Sequence, residues 1–139
     1  MAREQDGRYR AGGVVSVWVG MFPDEAAYEL YFREDRDGPD QGEPPTCSFW
    51  SDLGIRWFDH DFQENGYVGI PVPMAELLGR PWSFLDSFRG LLLARCAELG
   101  IAAANSVMFL YDCDYPAEAG SSCSHMKFVG VFPYKTGGS

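Results

Sequence analysis

The sequence holds only two histidines and few positive charges. Eleven Lys and Arg stand against 20 Asp and Glu, a formal net charge of −9 over 139 residues. It also lacks any run of about 18 apolar residues, so nothing in it reads as a bilayer-spanning helix. The N-terminal stretch MAREQDGRYRAGG has no apolar segment of the kind a secretory signal carries. The expectation is a cytoplasmic protein whose cysteines are reduced. Scarce Lys and Arg argue against nucleic-acid binding, which draws its affinity from releasing counterions at phosphates. The same scarcity argues against docking on an anionic membrane. An excess of carboxylates leaves two readings: charge that serves solubility, or charge that meets a basic partner.

Catalytic and metal-binding signatures are missing as well. Cys113 and Cys123 have nine residues between them, with His125 two positions further on. Structural zinc sites bring their ligands in pairs only two to four residues apart, so no metal is expected. There is no G-x-S-x-G elbow and no Walker loop. The glycines of GGVVSVWVG precede a strand, the reverse of the order in a phosphate-binding turn. No cofactor is implied.

What the chain does have is apolar and aromatic bulk. Hydrophobic residues make up 46% of it, with 10 Phe, 7 Tyr and 4 Trp. At this length that is one domain able to bury a core without disulfides or metal. Residues 1–12 read as a flexible N-terminal arm, 13–135 as the folded domain and 136–139 as a disordered tail. VVSVWVG (14–20) is a strand apolar enough to be covered on both faces, hence central. FPDEAAYELYF follows as a helix with Asp24 as N-cap and Ala27, Tyr28, Tyr31 and Phe32 on one face. Residues 33–45 form a polar loop rich in acids and prolines. TCSFWSDLG is a short helix begun by Thr46 and stopped by Gly54. Residues 66–73 look like a loop, and MAELLG like a turn or two of helix. The longest helix is expected over 82–100, with Leu85, Phe88, Leu92, Cys96 and Leu99 on one side and Gly100 as its C-terminal cap. Two further strands, 106–115 and 126–134, are expected to pair with each other. The fold class is therefore α+β, a small, mainly antiparallel sheet with helices packed on it, in a single domain.

Two acidic clusters raise the question of function. RWFDHDFQE sets His60 between Asp59 and Asp61. As a strand, it turns Phe58, His60 and Phe62 to one face and Trp57, Asp59 and Asp61 to the other. Two carboxylates side by side repel one another unless a cation or a basic partner meets them. YDCDY repeats the pattern, with Asp112 and Asp114 on one face and Tyr111, Cys113 and Tyr115 on the other. Candidate partner contacts are therefore Asp59, Asp61, Glu64, Asp112, Asp114 and Trp57. The alternative is a small metal-dependent or acid-base enzyme using His60 with Asp59, Asp61 or Asp112.

VSVWVGMF, DLGIRWFDHDFQE, NSVMFLYD and FVGVFPY, taken together and in this order, resemble the immunity protein 22 family, small bacterial proteins associated with polymorphic toxin systems. The resemblance covers roughly residues 14–134. Its matching positions are Trp18, Gly20, Asp59, His60, Asp61, Phe62, Tyr111, Asp112, Gly130, Phe132 and Tyr134. It implies a non-enzymatic protein that binds a cognate toxin domain and neutralises it; the excess of carboxylates suits a basic toxin such as a nuclease. The family offers no catalytic residue to carry over. The acid- and proline-rich 33–45 loop, Cys113 and Cys123 fall outside its pattern.

Overall fold

The computed structural model describes residues 10–33, 48–53, 63–80, 82–123 and 125–135. In chain order these form β1 (Arg10–Gly20), α1 (Glu25–Phe32), α2 (Ser48–Leu53), β2 (Gln63–Pro73), α3 (Met74–Leu77), a 3-10 turn (Leu85–Ser87), α4 (Arg89–Glu98), β3 (Ala103–Cys113), β4 (Ser122–Cys123) and β5 (Met126–Pro133). The strands make one sheet in the order β2-β3-β1-β5-β4, with every pairing antiparallel. This is the small α+β domain the sequence predicts.

β1 is central, as its unbroken apolarity requires. Its even and odd positions serve different layers. Val15, Val17 and Val19 join Val107, Phe109 and Tyr111 of β3 in a core shared with Leu77, Leu85, Phe88, Leu92 and Cys96. Trp18 turns the other way, with Met108 and Leu110, into a second core closed by Tyr31 of α1 and Phe49 and Leu53 of α2. Helices thus cover both faces. Trp18 meets Phe49 edge-on at 5.3 Å between ring centroids and Phe128 at 5.0 Å. Geometry of this kind adds about 0.5–1.5 kcal/mol per pair beyond area burial.

Local chemistry fixes the elements. Asp24 Oδ1 accepts a hydrogen bond from the Ala27 N–H at 2.8 Å, which caps α1 as expected. Tyr31 is buried, and Ala27, Tyr28 and Phe32 pack against the same core. Asn105 is a buried amide at the head of β3. Its Nδ2 donates to the Phe22 carbonyl at 2.8 Å, and its Oδ1 accepts from the Phe22 N–H at 3.0 Å. Both backbone groups at the exit from β1 are thereby satisfied. Buried Ser16 does a related job: its hydroxyl donates to the Cys113 carbonyl (2.6 Å) and accepts from the Tyr115 N–H (3.0 Å).

Four expectations need correction. Residues 66–73 are strand, not loop. Gly66 and two prolines disguised an edge strand, where proline is tolerated because one side of the backbone needs no partner. β2 bulges between Tyr67 and Val72, which also blunts the edge. The long helix of 82–100 is broken. Phe84 adopts a left-handed conformation and Phe88 leaves helical geometry at φ −138°, so the continuous helix begins only at Arg89. The expected apolar face still points inward: Leu85, Phe88, Leu92 and Cys96 are buried, and Leu99 is partly buried against the same core. β3 and β5 do not pair with each other, because β1 lies between them and pairs with both. Finally, Tyr111 and Cys113 belong to opposite cores. Simple alternation fails there because Asp112, at φ +56°, turns the backbone between them. The flanks 1–9 and 136–139, residues 34–45, Thr46 and Gly54 lie outside the described residues.

Two glycines are dictated by neighbours. A Cβ on Gly66 would fall 2.5 Å from the Trp82 ring, so that ring lies flush on the β2 backbone. Gly130, at φ +149°, forms the bulge where β5 slips against β1, and a Cβ there would fall 2.7 Å from Arg95 Nη1. Arg95 crosses this gap with its guanidinium 5.6 Å from the Phe132 ring centroid.

Candidate functional site

Among the described residues, only Phe84 and Asp112 have positive φ without being glycine, at +58° and +56°. For a phenylalanine the left-handed region costs roughly 1–2 kcal/mol, and less for an aspartate, whose short polar side chain tolerates it. They are far apart in sequence, yet both touch Tyr134. The Tyr134 hydroxyl donates to Asp112 Oδ1 at 2.7 Å, and its ring lies 5.6 Å from that of Phe84. Two strained positions meeting on one side chain point to a surface the fold goes out of its way to build, since such strain concentrates at functional sites.

The rings of Phe84, Tyr111 and Tyr134 touch pairwise, with centroids 5.2–5.6 Å apart. Tyr111 is buried and Tyr134 half-buried, while Phe84 is 43% exposed. Carboxylates flank the trio. On one side Glu64 Oε1 accepts from the Ser83 N–H and from the Tyr111 hydroxyl, each at 3.0 Å. The same hydroxyl lies 2.7 Å from the Ser83 carbonyl, so two acceptors share one proton. On the other side Asp112 Oδ1 accepts from the Gly13 N–H (3.0 Å) as well as from Tyr134. The C-terminal end is anchored by the Lys135 N–H, which donates to Ser87 Oγ at 3.0 Å. Ser87 Oγ in turn donates to the Phe84 carbonyl at 2.8 Å, holding the left-handed turn.

Titration follows from this packing. Burial raises the Tyr111 hydroxyl far above the ordinary tyrosine value, and the charge of Glu64 and the hydrogen bond to it add to the rise. Tyr134 is pushed up to about 12 by burial, then by its hydrogen bond to Asp112 and that residue's charge. Both phenols therefore remain neutral hydrogen-bond donors at physiological pH.

The structure brings together two of the six candidates, Glu64 and Asp112, at either end of one aromatic row. Asp114 is exposed and makes no side-chain hydrogen bond among the described residues. Trp57, Asp59 and Asp61 lie outside the described residues, as does His60. Among the described residues no group of three His, Cys, Asp or Glu side chains could hold a metal ion. None of the described helices is long and apolar enough to cross a membrane.

Sequence reading missed Phe84, the exposed member of the row, because helical periodicity over 82–100 gave it an ordinary place on a helix. A signal was present in SFLDS: Asp86 and Ser87 have short polar side chains that compete for backbone groups and disfavour a helix interior. The chain matches no curated protein and no solved structure. One family model, described as Immunity protein 22, matches residues 15–135. That span takes in nearly all of the sheet and the whole of the aromatic row, and the chain belongs to the Immunity protein 22 family.

Proposed function

We propose that the chain is a non-enzymatic immunity protein that binds a cognate toxin domain and neutralises it, using the acidic, aromatic surface centred on Phe84. The observation that carries this reading is the convergence of Phe84 and Asp112, both in strained backbone, on Tyr134. An aromatic ring held at the surface between two carboxylates is built to receive a cation. A partner's Arg or Lys could stack on the Phe84 face while Glu64 or Asp112 takes its charge, worth about 0.5–2 kcal/mol for the stack alone. Asp114 extends the acidic side. Trp57, Asp59 and Asp61, which precede Glu64 in the chain, are proposed as further contacts.

The excess of carboxylates supports the same reading. A net charge of −9 would attract a basic toxin domain, such as a nuclease, and complementary charge speeds encounter to about 10⁸ M⁻¹s⁻¹ or more at low salt. Anchored aromatics would then slow dissociation.

The test is to mix the purified chain with the toxin domain encoded beside it and to measure binding by titration calorimetry. A one-to-one complex that weakens with added salt, and weakens again with Phe84→Gly, is expected. No complex, or a complex indifferent to Phe84→Gly, would remove the proposal.

A further inference from the structure

At the opposite end of the sheet lies a cavity of about 290 Å³. The end of β1 (Val19 and Gly20) with Met21 after it, the start of β3 and the start of β5 surround it, together with the loop that follows α4. From Val14, beside the aromatic row, to Gly20 the strand runs roughly 20 Å, so the two places are distinct. The volume falls near the lower end of the roughly 300–1,000 Å³ that ligand pockets occupy.

Its lining runs against the character of the chain. In a sequence with 20 acidic residues, no Asp or Glu is among the described residues that line this cavity. Lys127 and His125 line it instead. Lys127 is half-buried and makes no hydrogen bond or ion pair among the described residues, whereas Arg89 and Arg95 are paired with Asp86 and Glu98. A lysine can rest its stem on apolar surface and keep its ammonium solvated, and this one, without a counter-charge among the described residues, is free to meet an anion that enters the cavity. Val19, Ile101 and Ala104 give it an apolar side, next to Ser122 and backbone.

The walls are already in place. The Met21 N–H donates to the His125 carbonyl at 3.1 Å, and the His125 ring lies 4.8 Å from that of Phe22. The loop opposite is held by the Ile101 N–H on the Cys96 carbonyl (2.9 Å) and the Met74 N–H on the Ala102 carbonyl (3.1 Å). A preformed site avoids the ordering entropy that a mobile one would lose on binding.

We propose that this cavity binds a small carboxylate with an apolar body, its charge against Lys127 and its body on Val19, Ile101 and Ala104. The proposal stands apart from the toxin-binding reading and from the residues that carry it.

The probe pair is phenylacetate and its neutral amide, phenylacetamide, titrated into the full chain while backbone amide shifts are followed by NMR. Saturable shifts at Gly100, Ile101, Ala102 and Lys127 are expected with phenylacetate, and at least tenfold weaker ones with phenylacetamide. Acetate, which lacks the apolar body, should also bind at least tenfold more weakly. Lys127→Met should abolish the phenylacetate response, and Lys127→Arg should keep it. Equal responses to acid and amide would overturn the role of charge, and equal responses to acetate and phenylacetate that of the apolar side. An absence of saturable shifts in the unmodified protein would overturn the site altogether.

Discussion

Replacing Phe84 by glycine separates what the aromatic row does for stability from what it does for binding. Two opposing effects can be sized. Relief of the left-handed backbone should return roughly 1–2 kcal/mol. Full burial of a phenylalanine is worth about 1.5–3 kcal/mol. With 43% of Phe84 exposed, a little over half of that, about 1–1.7 kcal/mol, is lost with the ring. Glycine also raises the entropy of the unfolded chain, which costs roughly a further 0.4–1 kcal/mol. The terms largely offset one another, and the unfolding free energy should fall by no more than about 1.7 kcal/mol. Phe88→Ala is the contrast: that ring is 1% exposed in the core, and its removal should cost about 3–5 kcal/mol. Urea unfolding of both variants gives the two numbers. Binding should behave the other way, with Phe84→Gly losing at least about 2 kcal/mol, near 30-fold in Kd. A destabilisation of 3 kcal/mol or more would show Phe84 to be a core residue and refute the reasoning.

Three further outcomes follow from the packing. Gly66→Ala must push Trp82 off the β2 backbone and endanger its indole N–H bond to the Leu77 carbonyl (2.8 Å); a loss of about 1–3 kcal/mol in a denaturant melt is expected, and an unchanged midpoint would mean the ring moves freely. Asn105→Ala leaves the Phe22 N–H and carbonyl unpaired in a buried place and should destabilise by about 2–5 kcal/mol, whereas a change under 1 kcal/mol would show that water replaces the amide. The pH dependence has a fixed sign. Tyr28 and Tyr134 are raised from 10 to about 12, Tyr28 mainly by burial, so the folded state holds its phenolic protons longer than the unfolded state. Their contribution is fully present below pH 10 and is lost between about pH 10 and 12. Urea melts across that range should show stability falling steeply, less so in Tyr134→Phe; a flat profile would contradict the burial assigned to these rings.

Much of this fold is legible in composition and period. The run at 14–20 could only be a strand covered on both faces, and it is the centre of the sheet. Asp24 capped the helix it was expected to cap. Illegible parts share a physical cause: the backbone leaves the geometry that periodicity assumes. Phe84 and Asp112 both turn left-handed, which broke one helix and reversed one face of a strand. Gly66 reads as loop until Trp82, sixteen positions on, is seen to lie over it. Non-local order was hidden too, since no pattern in 106–134 announces that β1 will come between β3 and β5. Of the candidate site, Glu64 and Asp112 stand out in the sequence by their charge. Their role differs from the one alternation implied, because each is tied to a tyrosine instead of standing free.

The most direct measurement is growth of a bacterial strain that expresses the proposed cognate toxin domain, with and without this chain. The account predicts that the folded chain restores growth, and that Phe84→Gly, equally abundant and folded, restores it less. Continued killing in the presence of abundant folded protein would contradict the account.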